Sequence, residues 1–237
     1  VYWIDNPNDT TTHMPLPGEH IPYGMKLKLN RTRLIGISGN PKDVILAAQR
    51  GQTQGAIGNF TMLHLTGNDF HAENITFGNY CNVDLIYEPN AKLNRKKRSN
   101  AIVQAQLVIC NGTRYTAKNC EFISRLNLCP FAGAKDVTFE ECYFECTDDA
   151  LCGTGKHIRC RFTLFSSKPF YTTSRTGAYF YDCDIHSKTI GTQYLTKVSG
   201  PVTLEKCRWT SDDKNLTIKW APKPNPKHKC YMIDCTL

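Results

Sequence analysis

The chain has 237 residues, 41% of them hydrophobic, and its 29 Lys and Arg against 21 Asp and Glu give a formal net charge of +8. This length suits one domain of a large repetitive or β type that can bury a core. No apolar run reaches the 18 residues of a transmembrane helix, which excludes membrane insertion. The positive surplus favours polyanionic partners, but no helix-turn-helix, zinc-finger or RNP-like motif supports nucleic acid.

The two ends of the sequence predict a piece of a longer, exported protein. Val1 is neither an initiator Met nor the start of a signal peptide, and the chain stops at Cys235-Thr236-Leu237, inside a strand-like pattern. We expect residues 1–237 to form one domain, periplasmic or extracellular, whose targeting signal is not in this sequence.

Seven segments along the chain share one short alternating pattern. They are NDFHAENITF (68–77), TRYTAKNCEF (113–122), AKDVTFEECYF (134–144), GKHIRCRF (155–162), GAYFYDCDI (177–185), GPVTLEKCRW (200–209) and KCYMIDCTL (229–237). In each, a polar residue precedes an anchor position. The anchors are Ile75, Cys120, Cys142, Cys160, Cys183, Cys207 and Cys235.

The spacing of these anchors predicts a solenoid. From Cys120 onward, successive anchors are 22, 18, 23, 24 and 28 positions apart, and helical periodicity is nearly absent. One apolar strand per repeat cannot bury its own face, so repeats must stack. The sequence therefore predicts an all-β, single-stranded parallel β-helix, with equivalent side chains about 4.8 Å apart.

The twelve cysteines are interpreted through this stack. Six of them occupy the anchor position, where they would form a ladder of buried, reduced thiols. A disulfide framework is the alternative, but it serves small chains that lack a core. A zinc site is disfavoured because there is no Cys-x2-Cys pair.

The first interval, from Ile75 to Cys120, is 45 positions long and could hold an extra coil or a long loop. It contains the basic run from Lys92 to Arg98. We expect residues 88–100 to be an exposed, mobile basic loop outside the active site, because a charge block has no apolar partner.

An aspartate pair, Asp148 and Asp149, interrupts a stretch that otherwise resembles a core segment. Asp149 lies seven residues after Cys142, and Asn127 lies seven after Cys120, so the two should be neighbours on adjacent coils. Consecutive strand residues face opposite ways, so only one Asp can face a groove. Such a carboxylate could be a nucleophile or base, or the Thr-Asp-Asp before Gly-Thr-Gly could simply be a turn.

Several motifs together resemble the pectin methylesterases. The resemblance spans roughly residues 30–210 and rests on Thr66–Phe77 (TGNDFHAENITF), Gln104–Leu107 (QAQL), Cys120-Glu121-Phe122 and Cys146–Gly153 (CTDDALCG). It implies a right-handed β-helix and hydrolysis of the methyl ester of a galacturonan, a pectin-like plant cell-wall polysaccharide.

The resemblance also implies site residues. Asp149 matches the nucleophile, and Gln104 matches an oxyanion-stabilising Gln. Asn127 stands where the family has an acidic residue, so Asp148 is the alternative acid, and Lys197 stands for an Arg that holds the nucleophile. We expect no cofactor or metal. The substrate-binding residues that we expect are Tyr171, Arg175, Tyr194 and Phe170.

Two other classes of function stay open. A β-helix polysaccharide lyase or glycoside hydrolase would need further carboxylates, such as Asp182 or Asp184. A non-catalytic glycan-binding module would use aromatic side chains as a stacking surface, and Tyr179 and Tyr181 would join those already named.

Overall fold

The computed structural model describes residues 2–3, 25–49, 51, 61–97, 100, 103–126, 130–147, 151–152, 155–172, 177–198 and 200–237. These residues form 23 strands, two short 3-10 helices (Pro41–Asp43 and Ala91–Leu93) and no α-helix. The coils present three faces, which we number in chain order. Among the described residues, no helix has the length and apolar character needed to cross a bilayer.

Face 1 contains β2 (Met25–Lys28), β5 (Thr61–Thr66), β8 (Gln106–Asn111), β13 (Leu151–Cys152), β16 (Phe170–Thr172), β19 (Thr192–Tyr194) and β22 (Thr217–Lys219). Face 2 contains β3 (Thr32–Ile35), β6 (Phe70–Glu73), β9 (Thr113–Lys118), β11 (Lys135–Glu140), β14 (Gly155–Ile158), β17 (Ala178–Tyr181), β20 (Val202–Glu205) and β23 (Cys230–Ile233). Face 3 contains β1 (Tyr2–Trp3), β4 (Ile45–Ala48), β7 (Thr76–Asn79), β10 (Glu121–Ile123), β12 (Tyr143–Cys146), β15 (Arg161–Leu164), β18 (Asp184–Ser187) and β21 (Arg208–Ser211).

Faces 2 and 3 are each one parallel sheet of eight strands, while face 1 is divided into the sheets β2–β5–β8, β13–β16 and β19–β22. Each named strand pairs with strands of the same face on neighbouring coils, as in Glu121 with Thr76 and with Tyr143. This confirms the predicted right-handed parallel β-helix. Because β10 pairs directly with β7, the long first interval contains a loop and no extra coil.

The core consists of side-chain columns that run along the helix axis. On face 3, the rings of Phe77, Phe122, Phe144 and Phe162 stack with centroids 5.3, 5.1 and 4.8 Å apart. On face 2, His157 lies between Phe139 and Phe180, at 5.1 and 4.5 Å. Each coil that stacks on the next thus repeats the same ring-to-ring contact, and such aromatic pairs stabilise the stack beyond the area that they bury.

The corner between faces 2 and 3 explains the polar residue before each anchor. These residues have φ between 46° and 56°, the left-handed conformation that turns the chain: Asn74, Asn119, Glu141, Arg159, Asp182, Lys206 and Asp234. Their side chains point outward and alternate in charge from Glu141 onward, with Arg159 Nη2 3.1 Å from Glu141 Oε1.

The anchor cysteines form the predicted ladder just inside this corner. From Cys120 to Cys235, each thiol donates to the carbonyl two residues earlier, at 3.3–3.5 Å. Burial raises the pKa of Cys142, which keeps its thiol protonated. The ten cysteines whose side chains the structure describes are free, which confirms reduced thiols for those ten, the six anchors among them.

In the described part of the basic run, Lys92, Lys96 and Lys97 are exposed and Arg95 is half-buried, and the segment has partners. Leu85 and Arg95 exchange backbone hydrogen bonds of 2.8 and 3.1 Å across an antiparallel bridge. The carboxylate of Asp84 accepts from the Lys97 backbone N–H at 3.0 Å and from Lys96 Nζ at 3.2 Å. The segment is therefore folded back on itself over face 3.

Candidate functional site

Gln104 lies on face 1, in the segment that leads into β8, and its side chain is half-buried. The backbone N–H of Ala105 donates to the carbonyl of Leu126 at 3.1 Å. The segment of the first glutamine motif therefore lies beside the segment that ends at Leu126, one coil later.

Four of the predicted site residues, Asn127, Asp148, Asp149 and Arg175, lie outside the described residues. The described chain resumes at β13, where Leu151 pairs with Phe170 of β16. The assignment of Asp149 as nucleophile and of Asp148 as acid stays a prediction.

Lys197 follows β19 on face 1, and its backbone N–H donates to the carbonyl of Phe170 at 2.7 Å. Lys197 is thus two strand spacings from Leu151, about 10 Å. Gln104 belongs to the coil of β8, four coils before that of Lys197, which separates their backbones by about 19 Å. The structure does not bring Gln104 and Lys197 together.

The predicted sugar-stacking residues divide into different environments. Phe170 is only 3% exposed and packs against Phe180 and Phe162 in the core, so its ring offers no surface to a polymer. This corrects its assignment as a substrate-binding residue: the alternation of β16 turns it inward. Tyr194 is half-buried on face 1. For Tyr171 the structure describes only the backbone, in β16.

The other residues that we considered lie on other surfaces. Tyr179 and Tyr181 belong to β17 on face 2, where the Tyr179 hydroxyl donates to Glu205 at 2.6 Å. Asp182 and Asp184 are both paired with Arg208, at 3.0 and 2.6 Å. These aromatic rings and carboxylates are therefore not part of the face 1 surface.

A different site, which the sequence analysis missed, lies on the outer side of face 3. There the loop of residues 80–97 covers β7, β10 and β12 and leaves a cavity of about 610 Å³, which we call the face-3 cleft. Its lining includes Thr76, Tyr80, Glu121, Arg125, Tyr143 and Glu145. The sequence carried a weak signal, since the outward residues of β10 and β12 are polar, but a solvated sheet face shows the same alternation.

The two glutamates of the cleft are held in different ways. Glu145 Oε1 lies 2.6 Å from Nε of Arg125, whose guanidinium stacks 3.6 Å above the centre of the Phe165 ring. Glu121 is 9% exposed and accepts a long hydrogen bond of 3.4 Å from the Thr76 hydroxyl. Burial raises the pKa of both carboxyl groups, and at Glu145 the nearby Arg125 opposes that effect.

A hydroxyl–imidazole–carboxylate relay also occurs on face 3. The two ring nitrogens of His186 lie 2.9 Å from Thr210 Oγ1 and 3.0 Å from Asp212 Oδ1. The same arrangement recurs on face 2, where His71 contacts Thr116 at 2.8 Å and Glu73 at 3.2 Å. Because it repeats on the outer surfaces of two different sheets, we interpret it as a cross-coil ladder and not as a catalytic triad.

Comparison with solved structures identifies the architecture. The structure of rice weevil pectin methyl esterase aligns with a TM-score of 0.55 over 89% of this chain and 80% of that chain, at 10% identity. The fold is that of the pectin methylesterases. A pectin methylesterase variant in complex with a hexasaccharide aligns at 0.45 (80% and 55% of the two chains, 15% identity), and the pectin methylesterase from Erwinia chrysanthemi at 0.40 (80% and 54%, 13% identity).

No protein-family model matches the sequence, and no curated protein matches it. At such low identity, the likeness to rice weevil pectin methyl esterase establishes the β-helix and leaves the chemistry to be argued from the residues.

Proposed function

We propose that the protein is an exported carbohydrate esterase of pectinesterase type that acts on an acidic, esterified polysaccharide of the plant cell wall. The observation that supports this most is the pairing of the Gln104 segment with the Leu126 segment on face 1 of a pectin-methylesterase-like β-helix. The formal charge of +8 favours binding of a polyanion such as pectin.

In this proposal, the Asp149 carboxylate attacks the carbonyl carbon of the methyl ester. Gln104 and Asn127 donate hydrogen bonds to the oxyanion that forms. Asp148 can serve as the acid only if residues 148 and 149 form a turn, since consecutive strand residues face opposite ways. Methanol then leaves with the proton of Asp148, and water hydrolyses the acyl-enzyme. Lys197, about 10 Å from the start of β13, acts at most as a distant positive charge that favours the ionised nucleophile.

The test is ester hydrolysis on pectin fractions, followed as released methanol and acetate. Asp149→Asn is nearly isosteric and should lower turnover by about 100-fold or more because it removes the nucleophile. Asp136→Asn, at an exposed position of β11, is the matched control and should behave like the parent. Asn127→Asp restores the acid that the resemblance implies at the expense of one oxyanion donor, so it should raise the activity if the missing acid limits turnover.

Two results would count against the esterase. The first is a folded parent protein that releases neither methanol nor acetate from any pectin fraction. The second is turnover that survives Asp149→Asn. Retained binding of pectin without turnover would instead support the non-catalytic glycan-binding module, and appearance of unsaturated sugar ends would support a lyase.

A further inference from the structure

The face-3 cleft is built around a close approach that only glycine permits. A Cβ atom on Gly78 would lie 2.4 Å from Cε2 and 2.5 Å from Cζ of the Tyr80 ring. The Tyr80 ring therefore lies directly over the backbone of β7, and Tyr80 is 3% exposed. This packing places the tyrosine against the outer surface of face 3, beside the two glutamates.

Strand register places Glu121 and Glu145 on one side of the sheet at a fixed spacing. Glu121 pairs with Tyr143, and Glu145 lies two residues further along β12. Two residues along a strand and one strand spacing across put their Cα atoms about 8 Å apart. Both side chains point outward into the same cavity of about 610 Å³.

Burial favours the neutral form of Glu121, because the side chain is 9% exposed and loss of solvent raises its pKa. The Thr76 hydroxyl donates to Glu121 Oε2 at 3.4 Å, but it also lies 2.9 Å from the carbonyl of Pro41, which competes for its one proton. This long hydrogen bond opposes the effect of burial only in part, since the Glu121 pKa stays raised. Glu145 is the opposite case, because its ion pair with Arg125 favours the carboxylate.

A protonated carboxyl group and an ionised carboxylate in one cavity are the pair that glycoside hydrolysis requires. In inverting enzymes the two groups are roughly 6.5–9.5 Å apart, which leaves room for a water molecule. The Cα atoms of Glu121 and Glu145 are about 8 Å apart, and because both side chains leave the same side of the sheet, this spacing allows a carboxyl separation of that order. The cavity volume also lies within the range of roughly 300–1,000 Å³ that is usual for small-ligand sites.

The charges around the cleft indicate a neutral ligand. Three basic residues (Lys42, Lys97 and Arg125) and four acidic residues (Asp84, Glu88, Glu121 and Glu145) line it, and Glu121 is neutral in this proposal. Several are paired, as in Lys42 with Glu88 at 3.8 Å. In contrast to the chain as a whole, the cleft has no positive surplus, so it offers a polyanion no net attraction.

We propose that the face-3 cleft is a second carbohydrate site, which hydrolyses a glycosidic bond of a neutral sugar with Glu121 as general acid and Glu145 as general base. Glu121 transfers its proton to the glycosidic oxygen as the bond from that oxygen to the anomeric carbon breaks. Glu145 takes a proton from the water whose oxygen forms the new bond to the anomeric carbon. The products are a hemiacetal and an alcohol, and solvent returns the proton from Glu145 to Glu121. Tyr143 supplies an aromatic surface beside the reacting ring.

The experiment uses the full chain and a panel of neutral 4-nitrophenyl glycosides (α- and β-linked glucose, galactose, mannose, xylose and arabinose). We expect turnover of at least one, and a loss of about 100-fold or more in Glu121→Gln and in Glu145→Gln. A 2,4-dinitrophenyl leaving group needs no protonation. On the corresponding 2,4-dinitrophenyl glycoside, Glu121→Gln should therefore regain turnover, and Glu145→Gln should stay inactive. Glu205→Gln, on face 2, is the matched control and should equal the parent.

Three results would overturn the proposal: no turnover of any glycoside by the folded parent, retained turnover in either variant, or no difference between the two leaving groups. If the variants only lower the melting temperature, the pair is structural and the proposal also fails. Ester release from pectin, measured in parallel on the parent, reports on face 1 alone. The failure of one site is therefore distinguishable from the failure of the other.

Discussion

Strands β7, β10 and β12 have two sides that follow opposite rules. On the inner side, Phe77, Phe122 and Phe144 repeat one residue type, and their rings are parallel to within 5–9°. On the outer side, Thr76, Glu121 and Tyr143 occupy equivalent positions and have nothing in common chemically. The same backbone thus carries a uniform column inside and a mixed set of groups outside.

The difference follows from what each side is in contact with. Inside, a coil can be stacked on the next with no void only if equivalent side chains have matching shapes, so repetition stabilises the fold. Outside, water satisfies any polar residue, and uniformity brings no gain. On most of the surface, therefore, a change of residue type from coil to coil says nothing about function. Where a loop encloses such residues, as in the face-3 cleft, the change points to a binding site.

The largest effect on stability should come from His157, which is an ionisable residue in the otherwise apolar column of the inner side. Burial between Phe139 and Phe180 lowers the pKa of His157 from 6.5 to about 3. The folded protein keeps it neutral while the unfolded chain takes up a proton, so stability is full above pH 6.5 and is lost as the pH falls toward 3. The loss should approach about 5 kcal/mol, at about 1.4 kcal/mol for each pH unit.

Urea unfolding of the parent and of His157→Phe over pH 3–8 checks this. The difference between the two free energies of unfolding should be flat above pH 7 and should widen in favour of the variant below 6.5. Taking the difference removes the contributions of other groups, such as Glu121 and Glu145, whose raised pKa values act in the opposite direction. Parallel curves across the range would contradict a buried neutral His157.

The comparison of the two sides can also be made with neighbouring residues of β12. Phe144 is fully buried, so Phe144→Ala should cost about 3–5 kcal/mol of unfolding free energy by leaving a cavity in the column. Tyr143→Ala removes a ring of similar size from the outer side and should cost about half as much or less. Equal losses, measured by chemical denaturation, would show that the cleft packs like the core.

The sequence predicted the inner side well because it is repetitive. The spacing of the anchors Cys120, Cys142 and Cys160 reveals the period. The pattern also contains a polar residue before each anchor, and the structure shows that this residue is the left-handed corner, which the sequence did not predict. A period is visible in one sequence without any knowledge of the fold. The assignment of Phe170 was wrong because it rested on residue type alone. Phe170 was chosen as an aromatic residue near the groove, but the alternation of its short strand turns its side chain into the core.

The cleft could not be predicted because its parts are distant in sequence and do not repeat. Thr76 and Glu121 are 45 residues apart and meet only because β10 pairs with β7. The loop that encloses them, with Tyr80 over Gly78, has no counterpart in other described coils. Only the register of the strands and the path of one loop bring these groups together.

A smaller effect should appear at the corner. Arg159 has φ 51°, which a β-branched side chain resists, so Arg159→Val should cost about 1–2 kcal/mol. Arg159→Asn also removes the ion pairs with Glu140 and Glu141, but Asn tolerates this conformation, and exposed pairs contribute at most about 1 kcal/mol. The melting temperatures of the parent and of Arg159→Asn should therefore be close, and that of Arg159→Val should be clearly lower. If Val and Asn are equally destabilised, the charge ladder matters more than the backbone.

The smallest effect should come from the basic run. Replacing Lys92, Lys96 and Lys97 by Ser removes exposed charges, and the ion pair of Lys96 with Asp84 at 3.2 Å is at the surface, so the change should be under about 1 kcal/mol. The backbone N–H of residue 97 still donates to Asp84, and that contact lowers the pKa of Asp84 more than the lysine does. Asp84→Ala removes the acceptor itself and should cost more than the triple Ser variant. Thermal unfolding of both variants checks this order. The reverse order would mean that the lysine side chains, and not the backbone contacts around Asp84, hold this loop over the face-3 cleft.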